Sequence, residues 1–276
     1  APREKTLLAE SGLKWVRRDL FWHVVEPKKG EWDWTIYDRL LSDLKPLKIK
    51  PVFILCYGNG LYQPDAPRTP EARAAFCRYV QKAVSRYKDR GIIWELWNEP
   101  NNHHWQPKPD VKEYIQLALE ASRAFRAAAP GETLVGPALA GFDWPFVEAC
   151  FKAGLLNYWD GVTVHPYRPM EPETSAADYA RLRGLISSHS PKGRAIPILC
   201  GEIGYSHISV PGKEVQADYF LRQHLVNLAS GVPLTIWYNW SDNGPDPKNT
   251  EHHYGTVGMA PEFNEKPSYL AVKEVT

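Results

Sequence analysis

The sequence has no excess of charge of either sign, because 33 Lys and Arg residues are balanced by 32 Asp and Glu residues. No basic stripe or charged block stands out, which argues against nucleic acid or an anionic membrane as a partner. No apolar run approaches the roughly 20 residues that a membrane-spanning helix needs. The four cysteines form no CxxC pair and no metal-ligand spacing, so we expect free buried thiols.

Aromatic residues are abundant by contrast, with 11 Trp, 14 Tyr and 9 Phe. Many of the tryptophans lie beside Asn, Asp, His or Pro and not inside aliphatic runs. Flat rings next to polar groups suit the faces of sugar rings, which present C–H patches surrounded by hydroxyls. Interior packing is the alternative, and we expect it for about half of these rings.

Short apolar segments alternate with longer helical patterns along the chain. Seven segments rich in Val, Ile and Leu are each followed by a predicted helix, which indicates an α/β fold with a parallel sheet. No segment ends in GxGxxG or a P-loop, as a nucleotide-binding sheet would. Polar and aromatic residues instead follow nearly every strand, which predicts one (β/α)8 TIM-barrel domain over residues 1–276. The strand expected before the helix at Glu4–Ser11 is missing from this chain, because Ala1–Arg3 is too short to form it.

Two glutamates end predicted strands. In IIWELWNEP, period-two alternation places Glu95, Trp97 and Glu99 on one face of the strand, with Glu95 in mid-strand and Glu99 at the end. Glu95 is therefore expected to be structural, either ionised against Arg17 or Arg18 or protonated. Glu202 ends a later strand in ILCGEIGYS, and paired carboxylates are what glycosidic bond cleavage requires.

The order of several motifs resembles the clan A retaining glycoside hydrolases, which are (β/α)8 barrels. WELWNEPN precedes GEIG, with VRRDLFW before them, VHPY between them, and WYNWSDNG and YGTVGMAPEFNEKPSYLAV after them. The pattern is most similar to glycoside hydrolase family 39, and family 5 is the near alternative. The resemblance implies an enzyme that hydrolyses O-glycosidic bonds of a poly- or oligosaccharide with retention, and it implies no cofactor.

The resemblance also implies roles for individual residues. Glu99 would be the general acid and then the general base, which calls for a raised pKa in the first step. Glu202 would be the nucleophile, with the two carboxyl groups about 5–5.5 Å apart. Asn98 would hydrogen-bond the sugar 2-hydroxyl.

Further residues would support these groups. Arg17 and Tyr167 would hold Glu202 ionised, His165 would border the acid/base, and Trp240 would form the floor of the subsite for the cleaved sugar. The segment KPVFILCYGN ends in Cys56-Tyr57-Gly58-Asn59, where family 5 enzymes usually carry a histidine, so the identity of the sugar is left open.

Adjacent histidines do not predict a metal site. His103 and His104 cannot both turn inward on a regular strand, and the same holds for His252 and His253. They are interpreted as cleft-lining or surface residues. Trp105 is predicted to be a sugar platform, with an anchor for its own loop as the alternative.

The alternative function is a carbohydrate-binding protein on a hydrolase scaffold with little or no turnover. We expect a carbohydrate substrate, no nucleic acid, no membrane and a monomeric state. A secreted or periplasmic location is slightly favoured over a cytoplasmic one.

Overall fold

A computed structural model describes residues 2–275. Its strands form one sheet in chain order, and they are parallel in every pair whose register is described. Parallel strands in consecutive order, joined by helices, are the arrangement of the (β/α)8 TIM barrel, so the predicted fold class is confirmed. The strands are β1 (Trp15–Phe21), β2 (Lys50–Cys56), β3 (Ile93–Leu96), β4 (Thr133–Ala140), β5 (Gly161–His165), β6 (Ile198–Ile203) and β7 (Thr235–Trp237).

Each of the predicted helices is present, and one short helix directly after β1 is additional. Among residues 2–275 no strand precedes the first helix, in agreement with the seven-strand prediction. None of the helices described is long and apolar enough to cross a bilayer. The helices are α1 (Pro2–Glu10), α2 (Trp22–Val25), α3 (Thr35–Leu44), α4 (Pro70–Tyr87), α5 (Val111–Ala128), α6 (Trp144–Lys152), α7 (Ser175–His189), α8 (Gly212–Ala229) and α9 (Pro267–Val275).

Two compact units divide the chain. The larger unit comprises Trp15–His165 and Arg181–Leu199, and the smaller unit comprises Ala1–Lys14, Pro166–Ala180 and Cys200–Thr276. This division follows packing within the chain, and the assignment of residues 1–276 to one domain stays a prediction.

The larger unit is built on β1 to β5 and their helices. Every residue of β2 after Lys50 is buried, as expected of a strand covered on both faces. Helices begin where side chains cap them: the Thr69 hydroxyl accepts from the Ala72 N–H at the start of α4, and the Asp110 carboxylate accepts from two backbone N–H groups at the start of α5. These caps fix where the loops after β2 and β3 end.

The smaller unit packs α8 and α9 against β7 and the segment that follows it. Val257, Phe263 and Tyr269 form one buried cluster with Leu7, and Trp240 lies partly buried against it. Tyr269 also donates its hydroxyl to the Leu7 carbonyl at 3.0 Å. This hydrogen bond joins α9 to α1, and the cluster packs against the Trp240 side chain.

Candidate active site

Glu99 lies three residues beyond the end of β3, in a backbone that has left the strand. Trp97 has φ +68° and Glu99 has φ +45°, both in the left-handed region that non-glycine residues rarely adopt. The Trp97 N–H donates to the Leu55 carbonyl of β2, and the Glu99 N–H donates to the Ala138 carbonyl of β4 at 2.8 Å. Hydrogen bonds to both neighbouring strands thus hold the conformation that presents the Glu99 carboxyl group.

These dihedral angles make the predicted alternation wrong. Arg17 donates from Nε to Glu95 Oε2 at 2.5 Å and from Nη2 to Asn98 Oδ1 at 2.7 Å, so Glu95 and Asn98 face the same guanidinium. Trp97 instead packs in the interior with 1% of its surface exposed. A strand that continued to residue 99 would have grouped Glu95 with Trp97, and the positive φ at Trp97 reverses that order.

Glu95 is structural, as expected, and Arg17 is its partner. The Glu95 side chain is fully buried and that of Arg17 is 6% exposed, so the pair is an internal ion pair. Within its own unit Arg17 therefore donates hydrogen bonds to Glu95 and Asn98. Its predicted effect on Glu202 stays a prediction, as does the contact of Asn98 with a sugar hydroxyl.

The Glu99 carboxyl group is held on both oxygens. Its side chain is 12% exposed, and His165 Nδ1 lies 2.8 Å from Oε1. Asn102 Nδ2 donates to Oε2 at 2.5 Å, and His104 Nε2 lies 3.7 Å from the same oxygen. The structure thus brings His165 to the acid/base candidate, and it adds two residues that the sequence interpretation had not assigned to it.

Burial and the neighbours of Glu99 act on its pKa in opposite directions. Burial raises the pKa of Glu99, but the hydrogen bond and charge of His165, the hydrogen bond of Asn102 and the charge of His104 together lower it below the ordinary value. These contacts thus favour the carboxylate form of Glu99, and the raised pKa that the first step calls for stays a prediction. The Glu99 carboxyl group is little exposed to water, and hydrogen bonds from protein side chains take the place of water.

Aromatic rings line the side of this group within the larger unit. Tyr57 stacks on His104 with ring centroids 5.7 Å apart and meets Trp97 edge-on at 5.4 Å. An open pocket of about 180 Å³ is lined by Tyr57, Trp97, His103 and His104 together with the loop around Asp65. The two adjacent histidines thus line a cleft, as interpreted from the sequence.

Trp105 does not form part of that wall. It is fully buried, packs against Trp97 and Tyr114, and donates from its indole N–H to Glu113 at 3.2 Å. With no exposed face it cannot stack on a sugar. The prediction of a sugar platform is therefore wrong, and the alternative interpretation as a loop anchor explains its contacts.

Glu202 lies near the end of β6 in the smaller unit, where tyrosines surround it. The Tyr167 hydroxyl donates to Glu202 Oε1 at 2.8 Å, so the structure brings together the predicted pair. Tyr254 meets the Tyr167 ring edge-on. Burial, with the charges of Glu251 and Glu202, raises the pKa of Tyr254, so its hydroxyl stays protonated beside the carboxylate.

The glycine after Glu202 has a packing reason. A Cβ on Gly204 would lie 1.7 Å from the carbonyl oxygen of Tyr238, so only glycine allows the end of β6 to approach the segment after β7. Tyr238 in turn meets Tyr254 edge-on at 5.3 Å. The GEIG motif therefore combines a candidate chemical group with a close backbone contact.

Trp240 and a nearby charged cluster complete this half. Trp240 is partly buried, and its indole N–H is buried without a hydrogen-bond partner among residues 2–275. Lys266, 4% exposed, donates to Asp242 at 3.0 Å and lies 3.2 Å from His207 Nδ1. The lysine ammonium fixes the loop that carries Trp240, and the subsite role of Trp240 stays a prediction.

Solved structures similar to this chain include a family 39 glycoside hydrolase from the gut symbiont Bacteroides cellulosilyticus WH2. It is 25% identical with a TM-score of 0.87, and the match covers 99% of this chain and 60% of that one. The resemblance to family 39 is confirmed. A monomeric β-xylosidase from Caulobacter crescentus CB15 matches at 22% identity and a TM-score of 0.79, over 99% of this chain and 64% of that one.

Family 5 is represented among the similar structures as well. GH5_18 from Streptomyces cattleya, in complex with GlcNAc, has 16% identity and a TM-score of 0.77, with 99% of this chain and 74% of that chain covered. Likeness at this level of identity shows the fold alone. The chain spans less than two thirds of the length of the family 39 enzyme and of the monomeric β-xylosidase that it matches. No protein-family model matches the sequence, and no curated protein does.

Proposed function

We propose that the chain is a retaining glycoside hydrolase in which Glu99 is the acid/base and Glu202 the nucleophile. The observation that carries the proposal is that each glutamate lies near or just beyond the end of a parallel strand and is held by another side chain, His165 for Glu99 and Tyr167 for Glu202. Strand ends of this kind carry the chemistry in barrels of this fold. The similarity to a family 39 enzyme supports the same reaction class.

The reaction would proceed by two displacements. The Glu202 carboxylate attacks the anomeric carbon while Glu99 gives its proton to the departing glycosidic oxygen. Glu99, now a carboxylate, takes a proton from water as the oxygen of that water attacks the anomeric carbon and the bond from that carbon to Glu202 breaks. The sugar leaves with its original configuration, Glu202 is released as a carboxylate, and Glu99 is protonated again.

The surroundings of each glutamate suit its step. The Tyr167 hydroxyl donates to Glu202 Oε1 and so orients the carboxyl group of the proposed nucleophile. Glu99 is mostly enclosed, and a bound sugar would enclose it further. Because burial raises the pKa of a carboxyl group, substrate binding would move Glu99 toward the protonated form that the first step requires.

The substrate is proposed to be a β-linked poly- or oligosaccharide, and the β-xylosidases among the similar structures make xylosides the first to try. The test is turnover of aryl β-xylosides, then of aryl β-galactosides and β-mannosides. Glu202→Ala should abolish turnover, and Glu99→Ala should spare the first step only for substrates with an activated aryl leaving group. Proton NMR of the first-formed sugar should show the β-anomer.

Two outcomes would overturn the proposal. Equal rates for the wild type and both alanine variants on every substrate would exclude both glutamates from the chemistry. Sugar binding without turnover would instead favour a carbohydrate-binding protein. A monomeric state and a secreted or periplasmic location are part of the proposal, to be checked by light scattering and cell fractionation.

A further inference from the structure

Asn102 lies in the turn after Glu99 and contacts Glu99 through both its backbone and its side chain. The Asn102 backbone N–H donates to the Glu99 carbonyl at 3.1 Å, and its side-chain Nδ2 donates to Glu99 Oε2 at 2.5 Å. The Asn102 Oδ1 is engaged as well, because it accepts the His104 backbone N–H at 2.9 Å. With both ends of the amide committed, the group cannot flip and must present its N–H to the carboxylate.

The other oxygen of Glu99 is held by a buried histidine. His165 is fully buried, and its Nε2 is buried without a hydrogen-bond partner among residues 2–275. The Glu99 carboxylate can only accept hydrogen bonds, so the Nδ1 of His165 that faces it carries a proton. His165 therefore donates to Oε1, and both carboxylate oxygens are held by N–H donors.

We propose that Asn102 is a positioning residue that holds Oε2 of Glu99 with a fixed N–H donor and thereby favours the carboxylate form of Glu99. The inference rests on the proposed role of Glu99 and adds a residue to it. Other titratable groups facing Glu99 are His165 on Oε1 and His104 at 3.7 Å from Oε2, with Glu202 as the proposed chemical partner. The Asn102 hydrogen bond also contributes to the lowered pKa of Glu99.

The consequence concerns the balance between the two steps. A donor to Oε2 stabilises the carboxylate, which is the base of the second step, more than the acid of the first. Replacing Asn102 by Leu keeps the side-chain volume and removes the donor. The pKa of Glu99 should rise by about one unit, since one hydrogen bond to an ionised group is of that order.

The first experiment is the pH profile of kcat/KM for Asn102→Leu on an aryl β-glycoside that the wild type turns over. The basic limb, which reports loss of the Glu99 proton, should move upward by about one pH unit. Asn101→Leu is the matched control, because the neighbouring Asn101 amide pairs with the backbone of Ala140 and not with Glu99. An equal shift in both variants would mean loop displacement and would overturn the inference.

A second readout is independent of turnover. Carbon-13 NMR of glutamate side-chain carboxyls, with Glu99 assigned from its absence in Glu99→Gln, gives the pKa of Glu99 directly. A rise of about one unit in Asn102→Leu, absent in Asn101→Leu, supports the inference even if no glycoside is hydrolysed, and the proposed function alone would then fail. An unchanged Glu99 titration in Asn102→Leu would overturn the inference whatever the activity.

Discussion

The ion pair between Arg17 and Glu95 provides a sharp test of how this interior is held together. Arg17→Met removes the cation from a site where the arginine side chain is 6% exposed and the glutamate is fully buried. The Glu95 carboxylate would lose its 2.5 Å partner, and Asn98 would lose the donor to its side-chain oxygen. Removing one member of a buried pair costs about 3–5 kcal/mol of the free energy of unfolding.

That loss converts into a measurable shift in melting temperature. An unfolding entropy of about 2.1 cal/mol/K per residue, taken over 276 residues, gives about 0.6 kcal/mol/K. Arg17→Met should therefore melt about 5–9 °C below the wild type in differential scanning calorimetry. Lys28→Met is the control, because the Lys28 and Glu31 side chains are 74% and 66% exposed, and it should shift the melting temperature by less than about 1 °C.

A double-mutant cycle decides whether the pair itself is responsible. Glu95→Leu alone leaves the buried Arg17 cation without its carboxylate partner. The double variant with Arg17→Met and Glu95→Leu replaces both charges by apolar groups and should recover most of the lost free energy of unfolding. A coupling energy below about 0.5 kcal/mol would refute the reasoning, because independent sites add to within that margin. A melting temperature of Arg17→Met equal to that of the wild type would do the same.

Three further outcomes follow from the structure. The pKa of Glu99 in the folded protein is lowered from its ordinary value of 4.5, so the carboxylate stabilises the folded state above pH 4.5. That stability is lost as the pH falls through the lowered pKa of the folded protein. Glu99→Gln should therefore flatten the rise of the unfolding free energy with pH below 4.5, measured by urea titration. Tyr167→Phe removes the hydroxyl donor to Glu202 and should lower kcat/KM about tenfold. An unchanged kcat/KM would contradict a role for that hydroxyl. Cys56, Cys150 and Cys200 are buried and Cys77 is partly exposed, and burial raises the pKa of all four thiols. A disulfide reagent at pH 8 should therefore label the three buried thiols only after denaturation, and fast labelling of more than one thiol in the native protein would contradict this.

Much of the fold could be predicted from the sequence because local patterns and the global fold agree. The continuous apolar run of β2 and the repeated alternation of strand and helix leave few alternatives to a parallel barrel. Capping residues such as Thr69 and Asp110 mark helix starts that can be read without coordinates. The short helix α2 was missed, because four residues carry too little periodicity to show a pattern.

The contacts of the two glutamates in the candidate site were predicted in part. His165 and Tyr167 reach the glutamates to which the motifs assigned them. Asn102 was overlooked because nothing in NEPNN distinguishes an asparagine that bonds a carboxylate from one that bonds backbone, as Asn101 does. The one usable signal is its spacing, since a residue three positions after Glu99 can close a turn onto it.

The conformation of the strand end could not be predicted from propensity, and it determines what Glu99 can do. Positive φ angles at Trp97 and Glu99 are unfavourable for these residue types and persist because the flanking strands accept their N–H groups. Had the strand continued regularly, Glu99 would share a face with Glu95 and compete for the same guanidinium. The reversal places Arg17 against Glu95 and Asn98 and leaves Glu99 in contact with His165, Asn102 and His104, which together lower the pKa of Glu99 against the effect of burial. These contacts favour the carboxylate that serves as the base of the second proposed step, so the first step requires substrate binding to raise the pKa of Glu99.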